Sequence, residues 1–227
     1  PKVFGAWKKA TDNQTLVSIE LKDGNKVTEL ASITKNKNLT NTWANVQVVY
    51  QLPDDMAKIQ IDYKIDASGQ ITVINTLKDV KQGLSSLPRF GNNFIINNSY
   101  NHVNWYGRGP QENYQDRNTA AFVGNYKSSV KDLYFAYARP QENGYRTDVR
   151  WVTFTNEIGK GIKVLGPKLL SFSAHHQYNS DFDAGLKKQQ RHLTDIFTRD
   201  LVNINIDDAQ MGVGGDDSWG ARTHDQY

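Results

Sequence analysis

Residues 58–65 read Lys-Ile-Gln-Ile-Asp-Tyr-Lys-Ile, a strict alternation of polar and apolar side chains. Successive side chains of an extended chain point to opposite faces, so this period of two puts one face on a core and the other in water. Val46, Val48, Tyr50 and Leu52 repeat the pattern against Gln47 and Gln51. Half-buried alternation of this kind is the signature of antiparallel sheets. The breaks between the segments are turn chemistry: Asp23-Gly-Asn25, Pro53-Asp-Asp55 and Asp66-Ala-Ser-Gly69. The first third of the chain therefore reads as a meander of hairpins, with the Lys- and Asn-rich stretch 34–45 as a loop or widened hairpin.

The pattern lapses over residues 78–87, which could pass for a linker. Too few strands precede it to close a core, so the sheets are expected to continue across it and residues 1–227 to form one all-β domain. Strands resume at 90–96, 100–106 and 169–178, with His102, Asn104 and Tyr106 sharing one face. Val202, Ile204 and Ile206 alternate with Asn203, Asn205 and Asp207, a half-buried strand near the end. Two short stretches read as helical, 118–126 and 181–191, the second with Asp181 or Asp183 as its N-cap. Trp7, Trp43, Trp105 and Trp151 sit in apolar or alternating patterns, and most are expected in the core.

Composition narrows the function classes. A net charge of +3 with no basic run gives no case for nucleic acid. The absence of Cys excludes disulfides and thiolate metal sites and leaves the compartment open. No apolar run approaches the roughly 20 residues of a membrane helix. No signal peptide is visible, and Pro1 is an odd first residue that suggests a cut chain. His175 and His176 are adjacent on an expected strand and so face opposite ways, which keeps both from one metal. His192 could pair with Asp195. Neither H-x-x-x-H nor H-E-x-x-H occurs among the five histidines, and the pairs Asp207-Asp208 and Asp216-Asp217 lack the spacing of a calcium loop.

Two motifs remain. Met211-Gly-Val-Gly-Gly-Asp-Asp-Ser-Trp-Gly220 holds four glycines, two carboxylates and a tryptophan. Gly214 and Gly215 allow a tight turn, and Asp216, Asp217 and Ser218 can bond nearby backbone N–H groups to hold it. Trp219 is then either packed under its own loop or presented as an aromatic face that suits the apolar patch of a sugar ring. The second motif is Val103-Asn-Trp-Tyr-Gly-Arg-Gly-Pro-Gln-Glu-Asn-Tyr-Gln-Asp-Arg117. Glu112 or Asp116 could serve as a general acid or base. The preferred reading is a salt-bridged loop, because carboxylates held by arginine forks stay ionised. A short echo joins Pro110-Gln-Glu-Asn113 to Pro140-Gln-Glu-Asn143, two copies that do not amount to a repeat architecture.

Both motifs, with Pro140-Gln-Glu-Asn-Gly-Tyr145 and Ala6-Trp-Lys-Lys-Ala10 in the same order, resemble the C-terminal domain of glycoside hydrolase family 2 β-galactosidases. The resemblance implies an antiparallel β-supersandwich like that of galactose mutarotases, with one or two short helices. It implies hydrolysis of terminal β-galactosides with retention by the whole enzyme, using two glutamates on a TIM barrel that this chain lacks. No cofactor is then expected in this chain, while the barrel could hold a divalent cation such as Mg. Trp219 carries over as the substrate-stacking residue; Gly214, Gly215, Asp216, Asp217 and Ser218 carry over as loop-formers, and none as catalytic. By the same resemblance the domain is truncated at both ends, which exposes sheet edges and favours pairing between copies. The expected partners are a β-galactoside, the missing domains and a second copy. Two alternatives stay open: a mutarotase-like epimerase, which needs His102 or His175 to converge with Glu112, and a carbohydrate-binding module.

Overall fold

The alternating segment 58–65 is a strand, and its neighbours in sequence are its neighbours in space. The computed structural model describes residues 5–8, 10–33, 42–183 and 191–212. The chain divides into two compact units, 1–86 and 87–227. The first holds a four-residue helix α1 (Gly5–Lys8) and strands β1 (Thr15–Asp23), β2 (Lys26–Glu29), β3 (Trp43–Gln51), β4 (Lys58–Asp66) and β5 (Ile71–Lys78). They form an antiparallel sheet in the order β2-β1-β3-β4-β5.

The register lines up the apolar halves of the sequence pattern. Val46, Val48 and Tyr50 face Tyr63, Ile61 and Ile59 across β3 and β4, and Ile19 and Leu21 of β1 continue the same row. Each such cross-strand pair contributes roughly 0.2–1 kcal/mol. The opposite face carries a polar ladder. Asp62 accepts from Gln47 Nε2 at 2.7 Å and Gln60 Nε2 at 2.6 Å, and Gln60 Oε1 accepts from Lys78 Nζ at 2.7 Å. The three expected turns close the hairpins. Gly24 sits at φ +60° in the two-residue β1–β2 loop, where a side chain is disfavoured. Asp66 accepts from the backbone N–H of Ser68 and Gln70 at 2.9 and 3.1 Å, which holds the β4–β5 turn. The buried cluster of this unit is small: Ala10, Leu52, Met56 and Ala57, with Trp7, Ile59, Leu77 and Leu84 against it.

The second unit holds β6 (Arg89–Asn97), β7 (His102–Gly109), β8 (Phe122–Ser129), a short helix α2 (Val130–Leu133), β9 (Arg146–Thr155), β10 (Gly161–His175) and β11 (Leu201–Gln210). These strands form an antiparallel sheet in the order β6-β11-β10-β9-β7-β8. Its core is larger: Val103, Trp105, Val149, Val152, Phe154, Phe172, Ala174, Val202 and Ile204 are among its buried residues. Phe172 stands edge-on to Trp105 and Phe154, with ring centroids 5.8 and 6.1 Å apart.

The fold is all-β, with two antiparallel sheets and only short helical turns. Several local expectations change. Each described sheet is built from the strands of one unit, β1 to β5 in the first and β6 to β11 in the second. Residues 118–126 are a turn followed by the start of β8, because pairing with β7 overrides their local helical pattern. Only the head of the expected 181–191 helix is described, as a 3-10 turn over Asn179–Phe182. Trp105 is buried, whereas Trp7 of α1, Trp43 of β3 and Trp151 of β9 are half-buried. Trp43 and Trp151 lie instead under the ammonium groups of Lys64 and Lys163, at 4.5 and 5.2 Å.

Candidate functional site: the covered polar face of β11

The strand that feeds the glycine-rich motif is buried on both faces. Val202, Ile204 and Ile206 face the core as their alternation requires, yet Asn203, Asn205 and Asp207 are also only 1–2% exposed. The half-buried expectation fails because loops lie over the polar side. Asn203 and Asn205 are satisfied side chain to side chain, with Asn93 of β6, Ser173 of β10 and Asn179 as partners. Asn93 Nδ2 donates to Asn203 Oδ1 at 2.7 Å and Asn205 Oδ1 at 2.9 Å. Asn205 Nδ2 donates to Ser173 Oγ at 3.0 Å, and Asn203 Nδ2 to the Gln177 carbonyl at 3.1 Å. Polar groups buried in this way are tolerated only when so paired.

Farther along β11, Asp207 accepts from Tyr145 Oη at 2.8 Å and forms an ion pair with Arg89, whose Nε lies 3.0 Å away. Burial pushes its carboxyl up to about 6, against the pull of Arg89 and the Tyr145 hydroxyl. Arg89 reaches on to Glu142 at 2.9 Å. Asp207 is therefore spent on protein partners and is not open to a calcium ion. Among the described residues there is no cluster of three or more His, Asp or Glu side chains that could hold a metal.

The second Pro-Gln-Glu-Asn copy reaches the Asp207 end of this face through Glu142, and the two copies are built alike. Each Asn folds back on its own turn: Asn113 Nδ2 donates to the Gln111 carbonyl at 3.0 Å, and Asn143 Nδ2 to the Gln141 carbonyl at 2.9 Å. They then lock together. Asn113 N–H donates to the Tyr145 carbonyl at 2.9 Å, and Tyr114 stacks on Tyr145 with centroids 5.3 Å apart. Glu112 of the first copy accepts from the Gly144 N–H of the second at 2.7 Å, from Arg117 at 3.1 Å and from the Tyr137 hydroxyl. The carboxylate is thus structural, as the salt-bridged reading expects. Arg108 belongs to the same motif but reaches Asp148 of β9 at 2.5 Å rather than a carboxylate of its own loop.

The histidines separate as their positions imply. His175 is buried, its Nε2 3.0 Å from the Asn143 carbonyl, while Nδ1 of His176 lies 2.7 Å from the Leu201 carbonyl. Burial lowers His175 to about 4, so it is neutral near pH 7. Its ring packs on Gly144, where a β-carbon would come 2.7 Å from His175 Cε1. His102 is exposed at the start of β7. Glu112 and His175 therefore approach Gly144 from two sides, but His175 is sealed from any ligand. His192 meets Asp195 through its backbone N–H at 2.9 Å, not through its ring.

β11 ends at the predicted site. Gly214, Gly215, Asp216, Asp217, Ser218 and Trp219 lie outside the described residues; Met211 and Gly212, the first two of the motif, lie within them. Met211 N–H donates to the Pro88 carbonyl at 3.1 Å and Gly212 N–H to Gln210 Oε1 at 3.0 Å. The Asp116 carboxylate of the other motif stands against Gly212, both oxygens 2.5 Å from where a β-carbon would sit. The two motifs, some hundred residues apart in sequence, meet here. Sequence reasoning missed Arg89, Tyr145 and Asp207 as interacting partners, since they are far apart in the chain.

The family model described as Beta galactosidase small chain matches residues 1–227. A β-galactosidase of Priestia megaterium is 32% identical over 232 residues, which cover 97% of this chain and 21% of that protein. One of Streptococcus thermophilus is 30% identical over 228 residues, covering 100% of this chain and 20% of that protein. One of Halalkalibacterium halodurans is 35% identical over 175 residues, covering 76% and 17%. The chain thus spans 17–21% of the length of these three relatives.

Proposed function

Because this chain belongs to the β-galactosidase small-chain family, we propose that it is the non-catalytic, sugar-site-supporting part of a β-galactosidase. The whole protein hydrolyses terminal β-galactosides with retention, and its two catalytic glutamates stand outside this sequence. Trp219 stacks on the galactosyl ring, and Gly214 to Ser218 form the loop that presents it. Any divalent cation that the reaction needs is held outside this chain.

The observation that carries the reading is the family match along all 227 residues, with both motifs included. The use of the carboxylates supports it. Glu112 is committed to Gly144, Arg117 and Tyr137, Asp207 to Arg89 and Tyr145, and Glu142 to Arg89. None of the three stands ready as the free acid or nucleophile of a glycosidase. The epimerase alternative loses support from the same geometry, since His175 is buried and neutral. The test is equilibrium binding of a non-hydrolysable thiogalactoside to the full-length protein and its Trp219→Ala variant, with hydrolysis by residues 1–227 assayed beside them. The proposal expects about tenfold weaker binding by the variant, or ~1.4 kcal/mol, and no turnover by the isolated chain. Equal binding by both proteins would remove Trp219 from the site, and turnover by residues 1–227 would remove the non-catalytic role.

A further inference from the structure

We propose that Asn143 is a site of spontaneous deamidation, kept unreactive in the folded protein by the Glu112 carboxylate, which holds the Gly144 N–H. The inference stands apart from the reading of Trp219, since it concerns only the two interlocked Pro-Gln-Glu-Asn loops.

Asn143-Gly144 is the one Asn-Gly dipeptide in the sequence. Asparagine is chemically labile, and most so before glycine, which has no side chain to hinder attack. In the reaction the Gly144 nitrogen loses its proton to hydroxide and attacks Cγ of Asn143. A nitrogen–carbon bond forms, the bond from Cγ to the side-chain nitrogen breaks, and that nitrogen takes up a proton and leaves as ammonia. Water then opens the cyclic imide at either carbonyl and leaves aspartate or isoaspartate. The fold nevertheless requires glycine here. Residue 144 lies at φ +71°, and a β-carbon would stand 2.7 Å from both His175 Cε1 and the Leu133 carbonyl oxygen. The reactive pair is forced on the chain, so its protection must come from its surroundings.

Three features provide that protection. Glu112 Oε2 accepts from the Gly144 N–H at 2.7 Å, and a carboxylate beside that proton opposes its loss. Glu112 is itself held by Arg117 at 3.1 Å and by the Tyr137 hydroxyl. Asn143 Nδ2 donates to the Gln141 carbonyl at 2.9 Å and Oδ1 accepts from the Phe135 N–H at 3.1 Å, so the amide cannot rotate without breaking one of them. Asn143 is only 1% exposed, which keeps out the water that the second step consumes.

The first copy supplies a contrast. Asn113 makes the same bond to its own turn but is followed by Tyr114, whose side chain hinders the attack. Asn143 is therefore the member of the pair that reacts once its loop opens. Either product breaks the interlock. Isoaspartate lengthens the main chain by a carbon and shifts the Asn143 carbonyl from its place 3.0 Å from His175 Nε2. Aspartate loses the donor to Gln141 and sets a buried carboxylate against that carbonyl oxygen.

The experiment incubates the full-length protein in mildly alkaline buffer, folded and in urea, beside its Glu112→Ala and Glu112→Gln variants, with circular dichroism to report folding. Mass spectrometry of tryptic peptides follows the modified fraction. Peptide 132–146 has Asn143 as its only asparagine, and peptide 109–117 has Asn113 as its only one. The proposal predicts that Asn143 deamidates at least about tenfold more slowly in the folded wild type than in urea, and about tenfold faster in folded Glu112→Ala than in wild type. Glu112→Gln, which keeps the shape without the charge, falls between wild type and Glu112→Ala, and it decides the matter if Glu112→Ala does not fold. Equal rates in buffer and in urea overturn the proposal, and so do wild-type rates in both variants. Modification of Asn113 in urea as fast as that of Asn143 overturns the choice of site.

Discussion

The two sheets treat their polar faces in opposite ways. In the first, Gln47, Gln60 and Asp62 of the polar ladder are half-buried and Lys78 is exposed, so water can reach the ladder and replace a lost bond. In the second, Asn203, Asn205 and Asp207 are buried beneath loops and must be satisfied from within the protein. The apolar faces differ in the same sense. Ile65, Ile71 and Val73 of the first sheet are 37%, 57% and 39% exposed, whereas Val152, Phe172 and Ile204 of the second are at most 1% exposed. A sheet covered on both sides can hold loops rigidly, and the second sheet is the one that carries both motifs.

The contrast is broken most directly by substitution. Asp207→Ala removes the ion-pair partner of Arg89 and the acceptor of the Tyr145 hydroxyl and should destabilise by about 3–5 kcal/mol in chemical denaturation. Asp62→Ala, which breaks the ladder of the first sheet, should cost less than about 1 kcal/mol. Equal losses would show that burial of the polar face is not what distinguishes the sheets.

Protonation sharpens the comparison next. His175 is neutral in the fold down to about pH 4, whereas an unfolded chain binds its proton near the ordinary value of 6.5. Its contribution to stability therefore falls as pH falls from 6.5 to 4, by about 1.4 kcal/mol per unit. Asp207 works the other way. Its folded value of about 6 exceeds the ordinary 3.8, so its contribution falls as pH rises across that window. The two slopes oppose one another between pH 4 and 6. His175→Asn should unmask the Asp207 slope, with denaturation midpoints dropping as pH rises from 4 to 6; an unchanged profile would sink this account of both groups.

The glycines give a narrower contrast. Gly24 and Gly144 share a positive φ, but a β-carbon at Gly24 meets nothing within 4 Å, while at Gly144 it meets His175 and the Leu133 carbonyl at 2.7 Å. Gly24→Ala should cost about 1 kcal/mol from backbone strain alone. Gly144→Ala should cost more, about 2–3 kcal/mol, because the crowding adds to the strain. Thermal midpoints of the two variants check the order.

Much of the first sheet was legible because its strands alternate and its turns carry their own chemistry. The pairing of Val46, Val48 and Tyr50 with Tyr63, Ile61 and Ile59 follows from the two patterns and the short turn between them. β11 was legible only on one side. Its Asn203, Asn205 and Asp207 look like a solvent face, since alternation cannot tell a polar side in water from one sealed by distant loops. Residues 118–126 misled for a related reason: nothing local announces that β7 will claim them as a partner. Glu112 of the middle motif was read correctly as structural, because its neighbour Arg117 is visible in the sequence. The other partners, Gly144 and Tyr137 for Glu112 and Asp148 for Arg108, were not visible, since each lies 25 to 40 residues away.

We propose that the second unit serves a galactoside site through Trp219 and that the polar ladder of the first unit contributes nothing to it. Steady-state kinetics of the full-length protein on a chromogenic β-galactoside test it, with Trp219→Ala measured beside Asp62→Ala. The account predicts KM raised about tenfold in Trp219→Ala, ~1.4 kcal/mol of lost binding, and wild-type constants in Asp62→Ala. Wild-type KM in Trp219→Ala, or an equal loss in both variants, would contradict it.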